Sequence, residues 1–168
     1  TSGGGGCIIT NNKNLAIKAK HLTTTAKVPH KWDFNHDKVG YNYRMPNLNA
    51  ALGLAQLENL ATKLKRKRNL TKLYNDAFSS VEGVCVFNEQ PFAKSNYWLQ
   101  TLLLEKEYSK FRDLTLKFCQ RNGLNVRPLW TPLDQLPPFQ KCPKMDLSVT
   151  QDLLSRVINL PSSPQIGR

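Results

Sequence analysis

Residues 40–57, Gly-Tyr-Asn-Tyr-Arg-Met-Pro-Asn-Leu-Asn-Ala-Ala-Leu-Gly-Leu-Ala-Gln-Leu, join a polar, cation-bearing turn directly to an apolar helix built on small residues. Pro46 suits the first turn of that helix, because its fixed φ is already helical and its missing N–H would have no partner there. Leu48, Ala51, Leu52 and Ala55 then recur at spacings of three and four, the period of one apolar helix face. The stripe runs on through Leu57, Leu60, Ala61 and Leu64 and, past a charge run, through Leu70, Leu73, Tyr74, Ala77 and Phe78. One helix of about 30 residues, straight or bent, is expected to lead from a first domain into a second.

Before this helix, four consecutive glycines, Gly3 to Gly6, precede Cys7-Ile8-Ile9-Thr10, which reads as a short strand. Asn11-Asn12 then turns into a helix over residues 15–21, giving an α/β piece. The glycines open backbone conformations closed to other residues. They lack dinucleotide and phosphate-loop spacing, so a simple packed turn stays an open reading. Residues 23–39 carry Pro29, His30, Trp32, Phe34 and His36 without any period, and are expected to form a long loop of the functional kind.

Later, residues 84–87 and 97–104 read as strands, and Phe111, Leu114 and Phe118 as a helix stripe stopped by Asn122-Gly123. A strand over 126–130 follows. Ser148-Val149-Thr150-Gln151 reads as a capping box, opening a helix with Leu153, Leu154 and Val157 inward. This order implies a small α+β domain over residues 81–168, after an α/β piece and interdomain helix over residues 1–80.

At 168 residues and 40% hydrophobic composition the chain can bury a core as one domain, or as one and part of another. It opens at Thr1, two residues before a glycine run, and stops soon after Pro161-Ser162-Ser163-Pro164, which is expected of a piece of a longer polypeptide. No apolar run approaches the roughly 20 residues that cross a bilayer, so no membrane association is expected. Cys7, Cys85, Cys119 and Cys142 are scattered, without metal-ligand spacing, and read as reduced, partly buried thiols of a cytoplasmic protein. His21, His30 and His36 suggest no Cys or carboxylate partner and read as surface or loop residues.

Twenty-four Lys and Arg against twelve Asp and Glu give a charge of +12, which favours anionic partners: nucleic acid, acidic lipid or nucleotide-sugar phosphates. The densest cluster, Lys63-Leu64-Lys65-Arg66-Lys67-Arg68, reads either as a solvated helix face or as a nucleic-acid patch. No RNP, zinc-finger or helix-turn-helix pattern supports the second, so nucleic acid is not the expected partner.

Two stretches carry candidate chemistry. In the turn, the Asn42 amide can donate and Arg44 offers a planar fork to phosphate or carboxylate. The competing reading makes Tyr41 and Tyr43 packing residues and Arg44 a loop cap. In Arg127-Pro128-Leu129-Trp130-Thr131-Pro132-Leu133-Asp134, Arg127 offers a second planar fork and Trp130 an aromatic face, and both can equally support a domain interface.

With Thr1-Ser2-Gly3-Gly4-Gly5-Gly6, Asn96-Tyr97-Trp98 and Leu160-Pro161-Ser162-Ser163-Pro164, these stretches resemble, in order along the whole chain, the DegT/DnrJ/EryC1/StrS family of sugar-nucleotide aminotransferases. The resemblance implies an α/β fold: the C-terminal part of a pyridoxal-phosphate-dependent transferase of fold type I, aspartate aminotransferase-like, comprising the end of the large domain and the small α+β domain. It implies amino transfer, from an amino-acid donor such as glutamate, to a nucleoside-diphosphate keto-sugar in bacterial surface-polysaccharide or related sugar biosynthesis. A UDP-linked 4-keto-6-deoxy amino sugar is the finer expectation.

The family's Schiff-base lysine would precede Thr1, so no catalytic residue is assigned and the chain alone is expected to be inactive. The resemblance also implies a homodimer with shared sites, in which Asn42 reaches the cofactor phosphate of the neighbouring subunit. Tyr41, Tyr43, Arg44, Arg127 and Trp130 are expected to bind substrate, and Asn96-Tyr97-Trp98 to be structural. Many family members have His where Asp134 stands. A dehydratase on the same scaffold and a basic binding module are the alternatives.

Overall fold

The computed structural model describes residues 1–167. The chain divides into two compact units, Thr1–Ala61 and Thr62–Arg168.

In the first unit, helix α1 (Lys13–Thr23) begins where the Asn12 side chain accepts from the N–H groups of Asn14 and Leu15 at 3.0 and 3.1 Å. This satisfies two of the donors that a helix start leaves open. Helix α2 (Asn47–Glu58) follows Pro46, as the sequence implies, although Pro46 stands just outside the first turn. Neither helix buries a residue. The expected strand at residues 7–10 does not form: the segment has no ladder partner among the described residues, and Ile8 and Ile9 are exposed. A strand is defined by its neighbour, which periodicity alone cannot supply.

The long loop is more ordered than its composition implies. Thr24 pairs with Asn42 and Lys27 with His36 in isolated bridges. Thr25 and Ala26 adopt φ of 70° and 50°, and Ala26 is fully buried. A Cβ on Gly40 would lie 2.4 Å from the Thr25 carbonyl carbon, so only glycine lets these backbones meet.

The single long helix expected from the sequence is two: α2 stops at Asn59, and α3 (Leu60–Phe78) begins anew. Tyr74 and Phe78 of α3 pack against the second unit's core. The compact units divide at Ala61, which groups most of α3 with the sheet.

The second unit is an antiparallel sheet in the order β1 (Val84–Val86), β2 (Gln100–Leu104), β4 (Val157–Leu160), β3 (Arg127–Pro128). Leu102 pairs with Ile158 at its centre. Val86, Leu102, Leu104, Leu116, Val126 and Ile158 form the core, and Ile158 is 1% exposed. Helix α4 (Arg112–Arg121) ends as expected, with the Gly123 N–H on the Gln120 carbonyl and the Leu124 N–H on Cys119. Gly123 takes the positive φ this double closure needs.

Two expectations fail around helix α5 (Ser148–Arg156). The capping box does not form, because Ser148 is already helical; Asp146 accepts from the Ser148 N–H at 3.2 Å and from its hydroxyl at 2.6 Å. Val157 is not a helix residue but opens β4, a central strand that the three-and-four spacing of Leu153, Leu154 and Val157 concealed.

Candidate functional site

The first unit holds a cleft of 870 Å³ lined by the glycine run at Gly5 and Gly6, by Lys20 on α1, and by Tyr43, Arg44 and Met45. Its wall is fixed by backbone: Tyr41 and Tyr43 donate to the carbonyls of Leu22 and Thr23 at 2.7 and 2.9 Å, and the Thr25 N–H donates to Tyr41. The turn is thereby stitched to the end of α1. Tyr41 and Tyr43 stack at 5.3 Å, both exposed.

Arg44 and Lys20 form no ion pair among the described residues, and the Asn42 side chain no hydrogen bond. Tyr43 and Arg44 reach the cleft, whereas Tyr41 and Asn42 are not part of its lining. Two unpaired cations beside glycine backbone make a donor set fitted to an anion. The loop-cap reading of Arg44 has no carbonyl to support it among the described residues.

Two histidines acquire the carboxylate partners that the sequence did not suggest. His21 Nε2 lies 2.5 Å from Asp37 Oδ1, and His30 Nδ1 lies 3.5 Å from Asp33 Oδ2. The hydrogen bond from His21 holds the Asp37 carboxyl below its usual range. His36 Nδ1 sits 2.7 Å from the Thr25 carbonyl, bracing the positive-φ corner.

The second unit holds a cleft of 990 Å³ lined by residues 123–130, by Leu99 and Gln120, and by residues 159–163 and Ile166. Arg127 and Trp130 both lie on it. Arg127 is exposed and its guanidinium has no hydrogen bond among the described residues. Asp134 sits on a short 3-10 turn, Leu133–Gln135, and pairs with Lys144 at 3.5 Å. Trp130 stacks on Trp98, which the sequence expectation gave a structural role at the start of a strand.

The basic run of α3 is not a uniform solvated face. Arg68 grips Glu89 through two bonds of 2.8 and 3.0 Å, and this holds the Glu89 carboxyl below its ordinary range. Lys67 Nζ donates to the carbonyls of Trp98 and Ser162, and burial lowers its pKa. Cys119 is half-buried, while Cys7, Cys85 and Cys142 are exposed rather than partly buried as expected. Among the described residues there is no cluster of three metal-ligating side chains and no helix long and apolar enough to cross a membrane.

Comparison with known proteins places these clefts in context. The chain is 34% identical to the EpsN protein of Bacillus subtilis (strain 168), over 96% of its own length and 42% of that relative. It is 33% identical to the GDP-perosamine synthase of Vibrio cholerae, over 98% of its length and 44% of the relative. It thus spans about two fifths of these relatives. Among solved structures it is similar to Helicobacter pylori PseC, an aminotransferase involved in the biosynthesis of pseudoaminic acid, with a TM-score of 0.82 at 20% identity, over 92% of this chain and 42% of that one. The likeness shows the expected α/β fold, that of fold-type-I aminotransferases. The family model for the DegT/DnrJ/EryC1/StrS aminotransferases matches residues 1–168, and the chain belongs to that family.

Proposed function

We propose that this chain is the part of a pyridoxal-phosphate-dependent aminotransferase that receives phosphate groups, in an enzyme moving an amino group from an amino acid such as glutamate to a keto-sugar on a nucleoside diphosphate. The observation that carries the reading is the Gly40–Arg44 turn: its backbone is pinned to α1 while Arg44, with Lys20 across the cleft, is left without a counter-ion among the described residues. Cations held in place without counter-ions suit an anion that arrives from outside. EpsN carries the provisional designation of a pyridoxal phosphate-dependent aminotransferase, in keeping with that cofactor.

When bound, pyridoxal phosphate supplies the electron sink for amino-group transfer. The residues of this chain bind and orient. Arg44 and Lys20 neutralise phosphate charge, and the exposed Asn42 amide donates to the cofactor phosphate of a second subunit, which makes the functional unit a homodimer. Tyr41 and Tyr43 present a stacked aromatic wall beside the phosphate. In the other unit, Arg127 receives the diphosphate of the sugar nucleotide and Trp130 its ring systems. The residue that holds the cofactor covalently is assigned to no position of this chain.

The test uses the protein as the cell makes it. Asn42→Ala should lower pyridoxal phosphate retention about tenfold or more, the scale of a hydrogen bond to a charged group. Retention after dialysis, followed by cofactor absorbance, measures this, and unchanged retention removes Asn42 from the phosphate site. A panel of UDP-, GDP- and dTDP-linked keto-sugars identifies the nucleotide. The sequence expectation is UDP, whereas the Vibrio cholerae relative is named for GDP. Amino transfer to none of them overturns the reading.

A further inference from the structure

Trp98 and Trp130 stack with ring centroids 5.9 Å apart and planes 21° from parallel, yet they are 68% and 64% exposed. A stacked pair of indoles left this open is a large apolar surface, of the kind that marks a contact site. The pair is also rigidly built. Trp98 follows Tyr97, whose φ of 47° lies in the left-handed region that bulky residues avoid. Such a backbone persists only where its surroundings over-determine it.

Those surroundings converge from three segments. The Tyr97 N–H donates to Ser95 Oγ at 2.9 Å, and the Tyr97 hydroxyl accepts from the Glu89 N–H at 3.2 Å. Glu89 is clamped by Arg68 and accepts from the Ser95 N–H at 2.5 Å. Lys67 Nζ donates to the Trp98 carbonyl at 2.7 Å and to the Ser162 carbonyl at 2.5 Å, with no carboxylate partner among the described residues. Ser162 lines the same cleft as Arg127 and Trp130. One ammonium group therefore ties the backbone under Trp98 to the cleft wall.

Resting on the proposed function, we infer that Trp98 and Trp130 form a stacking platform for the base of a nucleoside diphosphate, with Lys67 as its positioning residue. A base has a π face whatever its hydrogen-bond pattern, so an aromatic surface takes it without reading its identity. Arg127, without a partner among the described residues, lies on the cleft with Trp130, where its planar fork matches a diphosphate. Inserting a ring between the indoles would need about 7 Å, two van der Waals contacts of the usual 3.5 Å. The observed 5.9 Å is too short, so the base packs on the outer face of the pair. The platform is thus preformed, and binding the base need not order it.

The experiment measures binding of GDP, UDP and inorganic pyrophosphate to the full-length protein by calorimetry. Trp98→Ala should weaken both nucleoside diphosphates about tenfold and leave pyrophosphate unchanged, because the lost contact is to the base. Trp98→Phe should restore most of the loss. Lys67→Met should show the same selective loss at smaller size, since it acts through the Trp98 and Ser162 carbonyls. Equal weakening of nucleoside diphosphates and pyrophosphate, or no change in either, overturns the platform; the second result would mean that another segment of the protein covers the pair. A wild-type protein that binds pyrophosphate but no nucleoside diphosphate also overturns it while leaving phosphate recognition intact. Wild-type binding of none of the three overturns the proposed function itself.

Discussion

The two units are held together in different ways. In Thr1–Ala61 the only buried apolar residue among those described is Ala26, and the order comes from backbone: a capped helix start, two isolated bridges, and a turn bonded to the end of α1. In Thr62–Arg168 a four-stranded sheet packs into a core cluster of six buried apolar side chains, with Leu116 of α4 and Val126 among them. The first arrangement leaves polar groups of the turn facing outward, whereas the second fixes aromatic and basic groups to a rigid frame. A loop can be held by its backbone hydrogen bonds, while a sheet of this kind is held by the side chains packed on it.

The largest expected effect lies in the packed unit. Ile158→Ala, at the centre of the sheet, should cost about 2–5 kcal/mol of stability in urea unfolding. A cost near zero would mean that side-chain packing does not organise this unit.

The matching change in the first unit is Gly40→Ala, whose Cβ would meet the Thr25 carbonyl carbon at 2.4 Å. Overpacking of this kind costs about 1–3 kcal/mol. Hydrogen exchange should show faster Tyr41 and Tyr43 amides with the β2 and β4 amides unchanged. If β2 and β4 also accelerate, the division between the units fails.

The smallest effect is acid dependence. Glu89 is held below its ordinary range chiefly by Arg68, and Asp37 chiefly by His21. A carboxyl with a lowered folded pKa contributes stability that is fully present above its unfolded value, about 4.3 for Glu and 3.9 for Asp, and that is lost as pH falls through the lower folded value. Glu89 braces the Ser95–Tyr97 corner ahead of Trp98, so indole emission should shift below about pH 4. Emission that stays constant from pH 6 to pH 3 would detach Trp98 from that network.

Local features were legible from the residues alone. Asn122-Gly123 announced a helix stop that forms as the double closure on Cys119 and Gln120. Leu102 and Leu104, buried on one face of β2, follow the period of a strand. The apolar helix after Pro46 forms, although its run breaks at Asn59. The turn at residues 40–44 and the Arg127–Trp130 stretch both line or border clefts, Arg44 and Arg127 among them. Trp98 read as structural in the sequence because an aromatic at a strand entrance looks the same whether it faces a core or water.

Family membership, the helix stops and the identity of the cationic and aromatic residues were determined by the sequence itself, because each depends on neighbours within a few positions or on an ordered set of short motifs. Tertiary structure decided the rest. β4 is a strand because β2, more than fifty residues earlier, supplies its ladder. Asp37 is an ion-pair partner because the loop returns to α1, and Lys67 is a brace because two distant carbonyls converge on it. A side chain's partner is fixed only when the intervening chain has folded back, and no local period records that distance.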